Sequence, residues 1–117
     1  MQVQCELVHP WEIVNDSETV QSILEALGDD NKKIILTTTR EPRVMYGIIK
    51  TCSLSRTSGY RKIKQLINAG LLITCGFILI NNEKRIEKYV ICCDRVVANA
   101  DKEWILKTIN NQQKLSK

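Results

Sequence analysis

Residues 55–72 constrain this chain more than any other stretch. They read Ser-Arg-Thr-Ser-Gly-Tyr-Arg-Lys-Ile-Lys-Gln-Leu-Ile-Asn-Ala-Gly-Leu-Leu. Ser55 stands where an N-cap is needed, since its hydroxyl can accept from a backbone amide of the first turn. Gly70 supplies the stop, because glycine tolerates the left-handed angles that end a helix. Between them Gly59, Ile63, Leu66 and Ile67 recur at helical spacing and predict one apolar face. Arg56, Thr57, Tyr60, Arg61 and Lys64 fall on the other face. The opening turns carry Arg56, Arg61, Lys62 and Lys64 and no acid. A short helix of this composition, placed after another short helix and a tight turn, has the size and charge to enter a DNA groove.

Charge is segregated along the chain. The first 31 residues hold seven acids and no lysine or arginine, whereas Arg40 to Lys64 holds seven bases and one acid, Glu41. The basic segment is thus +6, and with a net charge of +4 the remainder is −2. No acid occurs between Pro42 and Asn82. Scattered surface lysines would be interleaved with acids; a concentrated positive field is what a polyanion-binding face requires.

The 117 residues suffice for one domain with one core. No apolar run approaches the roughly 20 residues of a membrane helix, and the amino terminus has no basic start followed by an apolar stretch. The sequence predicts a cytoplasmic protein with no membrane association. Residues 1–15 are expected to form an apolar arm that packs on the domain or on a second subunit. A helix capped by Asp16 or Ser17 should end near Gly28. A second, capped by Asp29 or Asp30, should reach Thr39. A third should run from Pro42 to Thr51, with Cys52-Ser53-Leu54 as a tight turn before the fourth helix over 55–69. Leu71 to Ile80 suits a buried strand, Asn81-Asn82 a turn, and residues 84–93 a return strand. Asn99 or Asp101 is placed to cap a last helix with Trp104, Ile105, Leu106 and Ile109, before a polar tail.

This order of elements resembles a winged helix-turn-helix. Pro42, Tyr46, Ile48, Lys50, Leu54, Tyr60-Arg61-Lys62-Ile63, Leu66 and Ala69-Gly70-Leu71 are similar to a phrase found in many archaeal winged-helix regulators. Leu27-Gly28-Asp29 resembles the tripeptide that precedes the second helix in ArsR-like proteins. The resemblance implies an α+β, mainly helical fold: a three-helix core, a β-hairpin wing over 72–93, and extra N- and C-terminal helices. Its domain would span 16–98, and residues 99–117 would supply a dimerisation helix and tail. It also implies a homodimeric, sequence-specific regulator of transcription, with helix 55–69 in the major groove of double-stranded DNA. One departure is Gly59, where related proteins usually carry a β-branched residue. Glycine there either admits a closer helix approach or loosens the helix.

Residue chemistry allots the roles. Arg56 can donate two hydrogen bonds to a guanine, and Thr57 or Ser58 can touch a base edge. Arg61, Lys62 and Lys64 suit phosphates, with Tyr60 donating to a phosphate. Arg43 and Ser55 flank this surface, and Asn82, Lys84 and Arg85 form a polar wing tip. Trp11, Trp104, Ile105 and Ile109 are expected in the dimer interface.

Other chemistries lack support. His9 is the sole histidine; it lies in the arm beside Pro10 and Trp11 with no cysteine at ligand spacing, and the sequence shows no Ser-His-Asp signature, paired-carboxylate signature or Gly-rich phosphate loop. No catalytic residue, metal or cofactor is expected. The five cysteines, Cys5, Cys52, Cys75, Cys92 and Cys93, are odd in number and contain no Cys-x-x-Cys pair, which argues against a disulfide framework. Cys52 is expected as a small core residue. Cys92 and Cys93 are adjacent on the return strand, so their side chains should face opposite ways and not chelate one ion together. Two alternatives to a plain regulator stand beside the main reading. One is a protein-interaction adapter; the other is a thiol- or metal-responsive repressor.

Overall fold

A computed structural model describes residues 11–93 and 95–108. His9, Cys5 and Ile109 lie outside the described residues. Among the described residues there are four helices and two small antiparallel sheets. Strand β1 (Trp11–Val14) is followed by helices α1 (Ser17–Leu27) and α2 (Asp30–Thr38), the two-residue strand β2 (Arg43–Val44), then α3 (Met45–Thr51) and α4 (Arg56–Asn68). Strands β3 (Leu72–Ile80), β4 (Lys84–Ile91), β5 (Val96–Ala98) and β6 (Ile105–Thr108) complete it.

Local chemistry sets the helix starts. The Asp16 carboxylate accepts from the Thr19 amide at 2.9 Å. Asp29 accepts from the Lys32 amide at 3.0 Å, and Ser55 from the Ser58 amide at 3.1 Å. Each satisfies an amide that the helix itself leaves without a partner. The third helix starts later than the sequence suggests. Arg43 and Val44 are extended and pair with Tyr89 and Lys88 of β4, so the sheet takes the residues after Pro42 before the helix can.

The helices converge through Val20, Ile23, Ala26, Ile35, Ile48, Ile49, Ile63 and Leu66, all buried. Fully burying one such aliphatic side chain stabilises by about 1.5–3 kcal/mol. A second fixture ties the helices to the sheet: the Ile91 amide donates to the Thr39 carbonyl at 2.9 Å.

The central sheet runs β2-β4-β3. Its long hairpin closes through Asn81 and Asn82, whose φ values of 54° and 58° place both in the left-handed region that a tight, strand-matching turn needs. Thr74 pairs with Tyr89 and Phe77 with Glu87, so the register shifts by one residue. Gly76 takes φ 81° at that bulge. Beyond it, Phe77, Ile78, Leu79 and Ile80 are exposed. The expectation of a buried strand therefore holds only at its base, around Leu71 and Leu72; the distal half projects past the core.

The predicted terminal helix is a strand. Residues 105–107 pair with 98–96 on one side, and 105–108 with 14–11 on the other, giving a second sheet of order β1-β6-β5. Asn99 does not cap a helix. Its side-chain oxygen accepts from the Glu103 and Trp104 amides at 2.7 and 3.0 Å, and so organises the loop between β5 and β6. Trp104, Ile105 and Leu106 suit either period; the partners that decide for the strand lie at the far end of the sequence.

Candidate nucleic-acid interface

The turn between α3 and α4 is built by Ser53, with φ 57°, and by the Leu54 amide, which donates to the Ile49 carbonyl at 3.1 Å. It brings the helices close. A Cβ placed on Gly59 would lie 2.7 Å from Ile49 Cγ1 and 3.1 Å from its Cδ1. Glycine is thus present because α3 sits against α4 at that point, which resolves the two readings of Gly59 in favour of close approach.

With Gly59, Ile63 and Leu66 buried, α4 exposes Arg56, Thr57, Tyr60, Arg61 and Lys64. Ser55 is exposed at its start and Ser58 half-buried. Among the described residues, Arg56, Arg61 and Lys64 form no ion pair. Among the described residues, nothing covers this surface and no carboxylate pairs with these three charges.

Lys62 is placed differently from the phosphate role expected of it. Its side chain is only 13% exposed, and its ammonium meets the Asp29 carboxylate at 2.8 Å. That contact, with the Lys32 amide second, holds the Asp29 carboxyl below its ordinary value. Lys62 fastens α4 to the start of α2 rather than presenting its charge outward. Arg43 is exposed, and its Nε donates to the Thr38 carbonyl at 2.8 Å.

At the hairpin tip, Asn82, Lys84 and Arg85 are exposed. The Arg85 guanidinium lies 4.0 Å from the centre of the Phe77 ring and 3.4 Å from the Glu87 carboxylate, so its charge is partly answered at home. Two features were not anticipated. One is the apolar run Phe77–Ile80 on the projecting hairpin. The other is the exposed Tyr46 on α3, with the Lys50 ammonium 5.8 Å from its ring centre; its signal was the i, i+4 spacing.

Of the expected interface residues, Ile105 is fully buried in the chain's own core and so is not available to a second subunit. Trp11 and Trp104 are half-buried.

A helix pair joined by a tight turn, followed by a projecting two-stranded hairpin, decides the architecture. The fold is a winged helix-turn-helix. Among solved structures, the chain is similar to a homodimeric winged helix-turn-helix DNA-binding domain from Mycobacterium bovis, named as a possible ArsR-family transcriptional regulator. The TM-score is 0.50 at 15% identity, covering 78% of this chain and 71% of the other. No protein-family model and no curated protein matches the sequence. In winged-helix terms, α3 and α4 are the helix-turn-helix and β3–β4 the wing. No helix among the described residues is long and apolar enough to cross a membrane.

Proposed function

We propose that this chain binds double-stranded DNA as a homodimeric transcription regulator, with α4 in the major groove and the wing on the flanking backbone. The observation that carries this reading is the exposed, acid-free side of α4: Arg56, Thr57, Tyr60, Arg61 and Lys64, capped by Ser55 and without ion pairs among the described residues. Arg56 and Thr57 occupy the N-terminal turn, the part of a recognition helix that reaches base edges. Arg61 and Lys64 meet phosphates, as do Arg43 and the tip residues Asn82 and Lys84. A lone domain reading one half-site binds weakly, which favours two-fold pairing. The terminal sheet offers a place for it, since Ile13, Leu106 and Val97 share one register row and Ile13 and Val97 are 59% and 47% exposed.

Selection of bound fragments from a random duplex pool supplies a site. Anisotropy titrations at two salt concentrations then test the roles. Arg56→Ala is expected to relax sequence preference by about 1–3 kcal/mol at one position. Lys64→Ala should weaken all duplexes alike and lower the salt slope by about one. Equal loss of preference in both variants contradicts the assignment.

A second reading is favoured by exposed Phe77, Ile78, Leu79 and Ile80: an adapter whose wing docks on a partner protein. It predicts negligible binding to random duplex even at low salt.

A further inference from the structure

Three elements meet behind the recognition helix. The carbonyl of Gly70, the left-handed residue that ends α4, accepts from Cys92 Sγ at 2.8 Å and from Lys107 Nζ at 3.0 Å. Lys107 Nζ also stands 3.9 Å from Cys92 Sγ and 3.9 Å from the Glu12 carboxylate. The Cys92 amide donates to the Leu71 carbonyl at 2.9 Å. Cys92 follows the last residue of β4, so the expected strand alternation does not separate it from Cys93, its neighbour in the chain. Lys107 is 7% exposed. An ammonium withdrawn from water is costly unless negative charge is near, and Glu12 is mostly exposed. Cys92 itself is half-buried.

We propose that Cys92 is an oxidation site for small hydroperoxides, and that its oxidation dislodges the end of the recognition helix and lowers DNA affinity. The chemistry follows from the surroundings. Cys92 gives its proton to solvent, and the thiolate attacks one oxygen of the hydroperoxide. An S–O bond forms, the O–O bond breaks, and the departing oxygen leaves as water or alcohol after taking a proton. Sulfur is oxidised to sulfenic acid and the peroxide is reduced. The buried Lys107 ammonium favours the thiolate beforehand. The Cys93 hydrogen bond, with Lys107, lowers the Cys92 thiol to about 7 against the opposing effect of burial and Glu12. Thiolate character of this kind directs oxidation to one cysteine among several. A 2.8 Å separation between Sγ and the Gly70 oxygen leaves no room for an added oxygen atom between them. Condensation of the sulfenic acid with Cys93 forms an S–S bond and releases water, and equally removes the proton donated to Gly70. Either product pushes on the residue that terminates α4.

The effect on DNA rests on the function proposed above; the site of oxidation does not. The first arm therefore reads chemistry alone. Reduced full-length protein is alkylated with iodoacetamide across pH, or treated with hydrogen peroxide, and the modified cysteine is located by mass spectrometry. Oxidation is expected first at Cys92, with an alkylation midpoint near pH 7 that rises in Lys107→Gln. First oxidation at another cysteine, or a midpoint unmoved in Lys107→Gln, overturns the proposal. The second arm compares wild type with Cys92→Ser, which keeps a donor to Gly70. Peroxide should weaken DNA binding about tenfold or more in wild type, within the range of ordinary couplings, and leave Cys92→Ser within about twofold. Equal losses in both refute the coupling. If the reduced protein binds no DNA, the function is wrong, and amide exchange at Ala69 to Leu71 decides the rest: faster exchange after peroxide in wild type alone supports the site, and no change sinks it.

Discussion

Replacing Gly59 by alanine separates two physical accounts of the same residue. In a helix whose glycine merely loosens the backbone, alanine stabilises by about 1 kcal/mol. In this structure the new methyl carbon meets Ile49 at 2.7 Å to Cγ1, 3.1 Å to Cδ1 and 3.3 Å to Cγ2, against about 3.5–4.0 Å for comfortable carbon contacts. Cγ1 is bonded directly to Cβ, so rotation at the chain's end moves only Cδ1 and does not relieve the contact. Overpacking of this sort costs about 1–3 kcal/mol. After the propensity gain is subtracted, a net loss of about 1 kcal/mol remains, a fivefold-order change in the folding constant. Urea unfolding reads this directly. Ile49→Ala supplies the control. Alone it costs about 2–5 kcal/mol through its cavity, but combined with Gly59→Ala the added methyl enters vacated space. The double variant should then be more stable than the sum of the singles by about 1 kcal/mol. A stabilising Gly59→Ala, or strict additivity with Ile49→Ala, refutes the close-contact reasoning.

Asp29→Asn keeps a good helix cap but removes the charge facing Lys62, and urea unfolding at pH 7 should show a loss of about 1 kcal/mol. Because the Lys62 contact lowers the folded Asp29 carboxyl, its stabilisation is complete above the ordinary unfolded value, about 3.9, and disappears as pH falls through the lower folded one. The gap between wild type and Asp29→Asn should accordingly narrow below about pH 4; a constant gap contradicts this. Gly76→Ala forces a side chain into φ 81° at a cost of about 1 kcal/mol, and amide protection should fall at Phe77 to Ile80 while that at Ile63 and Leu66 persists.

The helices were legible because their signals are local. Asp16, Asp29 and Ser55 announce their caps within three residues, and Ile63 and Leu66 show their spacing within one turn. The asparagine pair at 81–82 was legible for the same reason. What escaped depends on distant partners. Ile105 and Leu106 carry no sign that Val14 and Ile13 will pair with them, and Asn99 offers the same side-chain oxygen to a loop as to a helix end. Charge counting placed the basic side of α4, but it could not foresee that Lys62 turns inward to a specific carboxylate. Lys107 looked like any lysine of the expected terminal helix until the fold laid it behind α4, beside Cys92.

The pairing of Trp11 with Thr108 has a mechanical corollary. Both ends of the described chain leave from the same edge of one antiparallel ladder. Tension applied between them loads the hydrogen bonds one after another, as in opening a zipper, instead of straining the whole row at once. The terminal sheet should therefore yield at low force, and leave the four helices to unravel afterwards as a separate event.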